Sequence, residues 1–415
     1  MNSSFPPQEK QELDSQKNLR RNAIHGLHKY YGKLIPAIPA WAVKKYTMEG
    51  DMVLDSFCGS GTTMVEAMIN RRNSVGVDID PLAVLLSKVK TTPIAQARLE
   101  AAGKGLLSSI EDDNGSGFED DMPLFAYVNV DYWFSRIVQK GLTIIRRNIV
   151  RVDDKDIRDF FLVCLSSIIR KVYLGDPSQI KPCRTWYVKG KRANISALRV
   201  FRKELPRKIN AMTDFLKAVS STHGVSAKVL LGDARHLPKE VGRTDLIVTN
   251  PPYIASVDYV RANKLEGWWT GVLEDYPSLR ENLLGTEKAV RQQYLTFHGT
   301  GVKEIDEVIR EIYGRDRRKG YVVYKYFEDM RDIMAEWKRV LRPGGKIVIK
   351  TSESRYQGVS TPTPRFMIKL AEEAGLSSFT AFQDRIRSRS LSRIRHPTGG
   401  LIERDWILVL EKEAR

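Results

Sequence analysis

One stretch constrains this chain more than any other. Residues 53–62 read Val-Leu-Asp-Ser-Phe-Cys-Gly-Ser-Gly-Thr, an apolar strand that runs into a glycine-rich turn and then a helix start. Gly59 and Gly61 let the backbone bend sharply and approach a ligand closely. The next apolar strand, Val-Gly-Val-Asp at 75–78, ends on Asp78, seventeen residues beyond Gly61. A carboxylate at that place suits the hydroxyls of a ribose. Only two glycines are present, so the three-glycine dinucleotide pattern is incomplete, and a glycine pair alone often does no more than join two elements. Strand, loop, helix, strand and acid in register together point to a nucleoside cofactor.

The rest of the chain repeats that alternation. Strand-like runs occur at 52–57, 74–78, 228–231, 245–249, 346–350 and 406–411, and helices are expected at 62–71, 81–90 and 155–173. A long helix is expected over 323–341, where Phe327, Met330, Met334, Trp337 and Leu341 recur at steps of three and four. Arg342-Pro343-Gly344-Gly345 stops it. Strands alternating with helices imply an α/β sheet, mostly parallel. Residues 1–22 are polar and read as a flexible arm, and 108–121, acidic and rich in Gly and Ser, as a surface linker.

A second motif follows the run at 245–249: Thr249-Asn250-Pro251-Pro252-Tyr253. The two prolines fix the backbone and remove two amide donors, leaving carbonyls free to accept. Asn250 adds a side-chain carbonyl and Tyr253 a ring for stacking. The set suits an exocyclic amino group on a planar base, although Asn-Pro pairs also simply end strands.

Charge names the kind of partner. The 415 residues carry 67 Lys and Arg against 50 Asp and Glu, a net of +17, which favours a polyanion. The excess clusters: residues 181–208 hold ten basic residues and one acid, and 385–396 hold five arginines and no acid. Trp186, Tyr187 and Phe201 sit among the first set, while Arg385, Arg387 and Arg389 alternate in the second. A charge run is often only a solvated face, but clustering with aromatics is the footprint expected of nucleic-acid contact. No apolar run approaches a membrane span, and the first residues lack the pattern of a signal peptide. Cys58, Cys164 and Cys183 make no disulfide framework or metal spacing. His25, His223, His236, His298 and His396 likewise show no metal pattern. A cytoplasmic, nucleoid-associated protein is therefore expected, with no metal and no membrane contact.

Asp-Ser-Phe-Cys-Gly-Ser-Gly-Thr-Thr, Val-Gly-Val-Asp-Ile-Asp-Pro and Thr-Asn-Pro-Pro-Tyr together resemble the amino-methyltransferases that use S-adenosylmethionine. Residues 25–41 and 256–269 are similar to segments flanking these motifs in site-specific DNA methyltransferases of adenine N6 or cytosine N4, of the bacterial restriction-modification type. The resemblance implies a Rossmann-like S-adenosylmethionine-dependent methyltransferase sheet with helical insertions. It implies cofactor contacts from Asp55, Phe57, Cys58, Gly59, Gly61 and Thr62. Asp78 would take the ribose hydroxyls and Ile79 would pack on the adenine. Asp233, with Ala234, would meet the adenine's amino group, and His28, Tyr30 and Pro36 would belong to a segment closing over the cofactor. Asn250 and the Pro251 carbonyl would hold the target nitrogen, with Pro252 beside them and Tyr253 stacked on a base extruded from double-stranded DNA. A cognate restriction endonuclease would be a functional partner.

On this reading residues 23–95 and 226–415 form the catalytic domain. Residues 96–225 are a helical, basic insertion that is the candidate for DNA recognition, and 255–322 are a second insertion. Phosphate contacts are expected from Arg184, Lys189, Lys191 and Arg192, and from Arg385, Arg387 and Arg389. Asn before Pro-Pro leans slightly to adenine, leaving both bases open. Cys183 reads as an ordinary thiol, not the nucleophile that cytosine-C5 methylation needs, and Cys58 as a packing residue. Two alternatives stay open: an RNA methyltransferase acting on a base amino group, and a non-catalytic DNA-binding protein with a relic cofactor domain.

Overall fold

The computed structural model describes residues 7–17, 22–123, 125–184, 194–220, 224–254, 258–385 and 404–414. Lys189, Lys191, Arg192, Arg387 and Arg389 lie outside the described residues, as does the side chain of Arg385.

Seven strands form one sheet: β1 (Met52–Asp55), β2 (Asn73–Asp78), β3 (Ala227–Leu231), β4 (Thr244–Thr249), β5 (Leu341–Thr351), β8 (Ser377–Arg385) and β9 (Arg404–Glu411). A short hairpin, β6 (Ser354–Tyr356) and β7 (Val359–Thr361), stands apart. The order across the sheet is β3-β2-β1-β4-β5-β9-β8. β1 to β5 run parallel, and β9 is antiparallel to both of its neighbours. The strand order reverses between β1 and β4, and the crevice beyond the carboxyl ends at such a reversal is where an open α/β sheet holds ligands. β4 is buried along nearly its whole length, as a parallel strand covered on both faces must be. The sheet is thus the Rossmann-like α/β arrangement expected.

Helices cover both faces. On one lie α3 (Thr62–Ile69) and α4 (Pro81–Lys90), backed by a helical block of α5 (Gln96–Asp112), α6 (Arg136–Val150), α7 (Lys155–Val172) and α8 (Ala197–Val219). One apolar cluster runs from Val65 and Leu86 through Phe160, Phe161 and Phe215 to Trp268 and Trp269 of α9 (Lys264–Thr270). The 96–225 segment therefore shares a core with the helices that cover this face of the sheet. α4 starts where Asp80 caps it and Pro81 follows, the favoured start for a helix. Gly76 lets this layer pack closely, because a Cβ there would lie 2.2 Å from the Met64 sulfur.

The other face carries α10 (Lys303–Arg315), α11 (Arg317–Val340) and α12 (Thr363–Glu373). Phe327, Met330, Met334 and Trp337 of α11 are all buried against the sheet. The helix starts six residues before the expected 323 because Asp316 caps it, accepting from the Lys319 amide at 3.0 Å. Residues 7–17 depart from the expected flexible arm. They form α1 (Pro7–Lys17), which packs Leu13 against α2 (Ala37–Tyr46). The apolar side of Leu13 and the ion pairs Lys45–Glu12 (2.8 Å) and Lys17–Asp384 (2.5 Å) supply the docking that polar composition concealed. Among the described residues no helix is long and apolar enough to cross a membrane.

Candidate active site

The glycine loop between β1 and α3 is held from below and from both sides. Gly59 and Gly61 take positive φ, +49° and +77°, a region open to glycine at little cost. A Cβ on Gly61 would meet Ser87 at 3.0 Å, so the close packing excludes a side chain as well. The Gly59 amide donates to Asp78 Oδ2 at 2.8 Å. Ser87 Oγ donates to the Gly59 carbonyl, and Lys90 Nζ to the Ser60 carbonyl, both at 2.8 Å. Lys90 is fully buried, which holds its ammonium well below its ordinary range.

Three carboxyls gather under this loop. Asp55, at the end of β1, accepts from Thr249 Oγ1 at 2.7 Å and from the Phe57 amide at 3.1 Å, so it ties β1 to β4 across the reversal. Burial pushes Asp55 and Asp78 up to about 6. Asp80 rises to about 7, by burial first and the Asp78 charge second. Asp80 Oδ1 caps α4, accepting from the Leu82 amide at 2.9 Å, while Oδ2 is buried with no partner among the described residues.

A cavity of about 290 Å³ joins both sequence motifs. Tyr30, Asp55, Phe57, Cys58, Gly59, Thr62, Asp78 and Ile79 line it together with Asn250 and Pro252. Asn250 Nδ2 donates to the Gly32 carbonyl at 2.7 Å. That bond fixes which way the amide points and leaves Oδ1 as the acceptor, buried with no donor among the described residues. Gly32 takes φ +73°, and a Cβ there would sit 2.6 Å from the Tyr259 hydroxyl oxygen, so only glycine brings this carbonyl to Asn250.

Other expected site residues stand elsewhere. His28 does not face the cavity: its ring is buried, with Nε2 2.9 Å from Ser166 Oγ of α7. Burial, with the charges of Lys90 and Lys208, drives its pKa down to about 3, so it is neutral. From the same segment, Tyr30, Tyr31, Gly32 and Lys33 reach the cavity instead, while Pro36 begins α2 outside it. Gly61, within the loop, is outside the cavity lining. Asp233 and Ala234 are outside the lining, with Asp233 gripped by Arg235 at 2.6 Å and Arg235 tied to Asp329 at 3.2 Å. Pro251 is buried and outside the cavity lining. Tyr253 stands beside the cavity, its hydroxyl bonded to Lys350 and Asp405. Cys58 is a buried packing thiol that burial pushes well up. Arg184 stacks on the Tyr132 ring at 4.6 Å and donates to its carbonyl.

The sequence reading missed the outer wall of the cavity. It comes from the second insertion: Asp258 to Arg261, Arg280, Leu283 to Lys288, and then Arg318. Nothing in the periodicity of 255–322 marks these residues, which lie mainly in loops and short helices.

The residues present fit S-adenosylmethionine. A glycine loop that tolerates no Cβ at Gly61, a carboxylate at the end of β2, and an unpartnered buried oxygen on Asp80 form the acceptor-rich cradle that its ribose and ammonium groups need. The strand order and this cradle fit an S-adenosylmethionine-dependent methyltransferase. A family model described as DNA methylase, of N6 and N4 methyltransferases, matches residues 6–88. The Type II methyltransferase M.MvaI of Kocuria varians is 24% identical over 400 residues, covering 91% of this chain and 87% of that protein. M.BsoBI of Geobacillus stearothermophilus, also a Type II methyltransferase, is 23% identical over 88% of this chain and 80% of its own length. Among solved structures, the rRNA methyltransferase aviRa from Streptomyces viridochromogenes covers 96% of this chain, and 92% of its own, at a TM-score of 0.35 and 10% identity. The chain is thus similar at residues 6–88 to the DNA methylase family model, and along most of its length to Type II methyltransferases.

Proposed function

We propose that this chain is a site-specific DNA methyltransferase of Type II restriction-modification kind, acting on the exocyclic amino group of adenine (N6) or cytosine (N4) extruded from the duplex. The observation that carries the proposal is Asn250: its Nδ2 is spent on Gly32, and its Oδ1 has no donor among the described residues, in a residue that lines the same cavity as the glycine loop.

An aromatic amino nitrogen is a poor nucleophile because its lone pair is delocalised into the ring. Asn250 Oδ1, accepting one of its hydrogens, favours a pyramidal nitrogen with the lone pair released. Pro252 beside it leaves no competing amide donor. Bound under the loop, S-adenosylmethionine supplies an electrophilic methyl group. The protein's share is then orientation and electrostatic preorganisation. Lys181, Arg261, Arg280, Lys288 and Arg318 edge the cavity and would hold the phosphates on either side of the extruded nucleotide, with Arg184 and the basic residues outside the described segments adding contacts along the duplex.

Duplex DNA incubated with methyl-labelled S-adenosylmethionine should gain label, and Asn250→Ala should lower the rate by about 10²–10³, the cost of removing one preorganised polar group from a developing charge. Modification-sensitive sequencing of DNA from a host expressing the chain reads out the base and the recognition sequence. Label entering tRNA or rRNA and not DNA would overturn the assignment.

A further inference from the structure

Tyr253 is held in a way its motif does not require. Its hydroxyl accepts from Lys350 Nζ at 2.6 Å and donates to Asp405 Oδ1 at 3.2 Å. Lys350 Nζ also pairs with Asp405 Oδ2 at 2.9 Å, closing a three-membered ring of polar contacts. Both charged side chains are nearly buried, 12% and 9% exposed. Lys350 comes from the carboxyl end of β5, where it pairs with Ile407 of β9. Asp405 lies two residues before Ile407 and so on the same face of β9. The hydroxyl is thus pinned by two strands of the rigid sheet, neither of which carries the Asn-Pro-Pro-Tyr loop.

The placing of the cation matters. Lys350 Nζ lies 5.2 Å from the centre of the Tyr253 ring, twice its distance from the hydroxyl oxygen. That oxygen is about as far from the ring centre as it is from Nζ, so the three points are nearly collinear. Lys350 therefore sits toward the hydroxyl end of the ring and not above its centre. A buried ion pair adds little to stability compared with apolar residues of the same size, because desolvation offsets the attraction. Fixing the direction of one ring is a task it can perform.

We propose that Lys350 and Asp405 are positioning residues that lock the Tyr253 ring by its hydroxyl, keeping its faces available to stack on the base extruded from DNA. The proposal rests on the DNA methyltransferase reading above. It separates the hydroxyl from the ring: phenylalanine keeps the stacking surface and loses only the anchor.

The test uses the full chain and its own target duplex, carrying a fluorescent base analogue at the methylated position. Tyr253→Phe should lower kcat by about tenfold, with the Kd for S-adenosylmethionine unchanged and the analogue's emission spread over several lifetimes in place of one, as expected for a misaligned stacking partner. Lys350→Met should give the same loss, Lys350→Arg should recover part of it, and Lys350→Met combined with Tyr253→Phe should be no worse than either alone. Should Lys350→Met fail to fold, Tyr253→Phe decides by itself, since it removes one oxygen. Wild-type kcat in Tyr253→Phe, or losses that multiply in the combined variant, overturn the proposal while leaving the function intact. A wild-type chain that does not methylate DNA overturns both.

Discussion

Cofactor affinity should rise with pH across the acid range. Asp55 and Asp78 titrate near 6 and Asp80 near 7, each raised by burial. The groups expected to meet them, ribose hydroxyls and an ammonium, are donors and favour ionised carboxylates. Binding must therefore expel whatever proton the free site holds. With a pKa of about 6, one such acid is ionised in only about a tenth of molecules at pH 5 and in nearly all at pH 7.5, so the apparent Kd should be about tenfold weaker at pH 5, or ~1.4 kcal/mol. Each further acid that must ionise multiplies the factor, and the slope of log Kd against pH below 6 counts them. Titration calorimetry between pH 5 and 8, in two buffers of different ionisation enthalpy, reads both the affinity and the protons released. Affinity flat over that range, or proton uptake on binding, would refute the assignment of these carboxyls to the cofactor.

The same burial makes these acids a burden on the cofactor-free fold. Their folded-state values lie above the unfolded value of about 4, so the native chain holds protons that the unfolded chain has lost, and stability falls as pH rises from about 4 through about 7. Asp55→Asn keeps an acceptor for Thr249 and removes the buried charge; it should raise the Tm of the cofactor-free protein at pH 7.5, by about 1–3 kcal/mol of stability, while weakening S-adenosylmethionine binding. Arg261→Gln with Lys288→Gln, both exposed at the cavity edge, should lower DNA affinity and reduce the slope of log K against log salt by about 1–2; an unchanged slope would move the phosphate contacts elsewhere.

The glycine loop and the elements around it were legible because their signals are local. Gly59, Gly61 and Asp78 constrain one another within a single strand-turn-helix-strand unit, and the structure joins them through the Gly59 amide. The 62–71, 81–90 and 155–173 helices were also found within a residue or two, since each has an unbroken apolar face. What failed depends on partners distant in sequence. His28 looked like a cofactor residue by its place in a motif, but Ser166, 138 positions away, turns its ring inward. α1 looked loose because the burial of its apolar residue Leu13 is invisible until α2 is in place. β8 alternates weakly and became a strand only by pairing with β9. The cavity wall from the second insertion has no periodic pattern, because loops are placed by what they touch.

Charge shows the same limit, and with a consequence for experiment. The block at 181–208 looked like one phosphate-gripping surface, yet Lys208 is buried and donates to the Leu27 carbonyl at 2.5 Å, while Arg207 and the outlying Lys171 serve Glu204. Elsewhere Lys90 supports the glycine loop, Arg72 donates to the Thr47 carbonyl, and Arg147 is committed to Asp113 and Asp121. These cations count toward +17 but are spent inside the fold, where removing one leaves a carbonyl or carboxylate without its partner at a cost of about 1–3 kcal/mol or more. Neutralising the block wholesale would therefore lower DNA binding even if no residue in it touched DNA. Affinity changes at Lys208 report folding, and those at Arg261 and Lys288, which stand exposed, report contact. Only the second kind carries the salt dependence that distinguishes a phosphate contact from a damaged core.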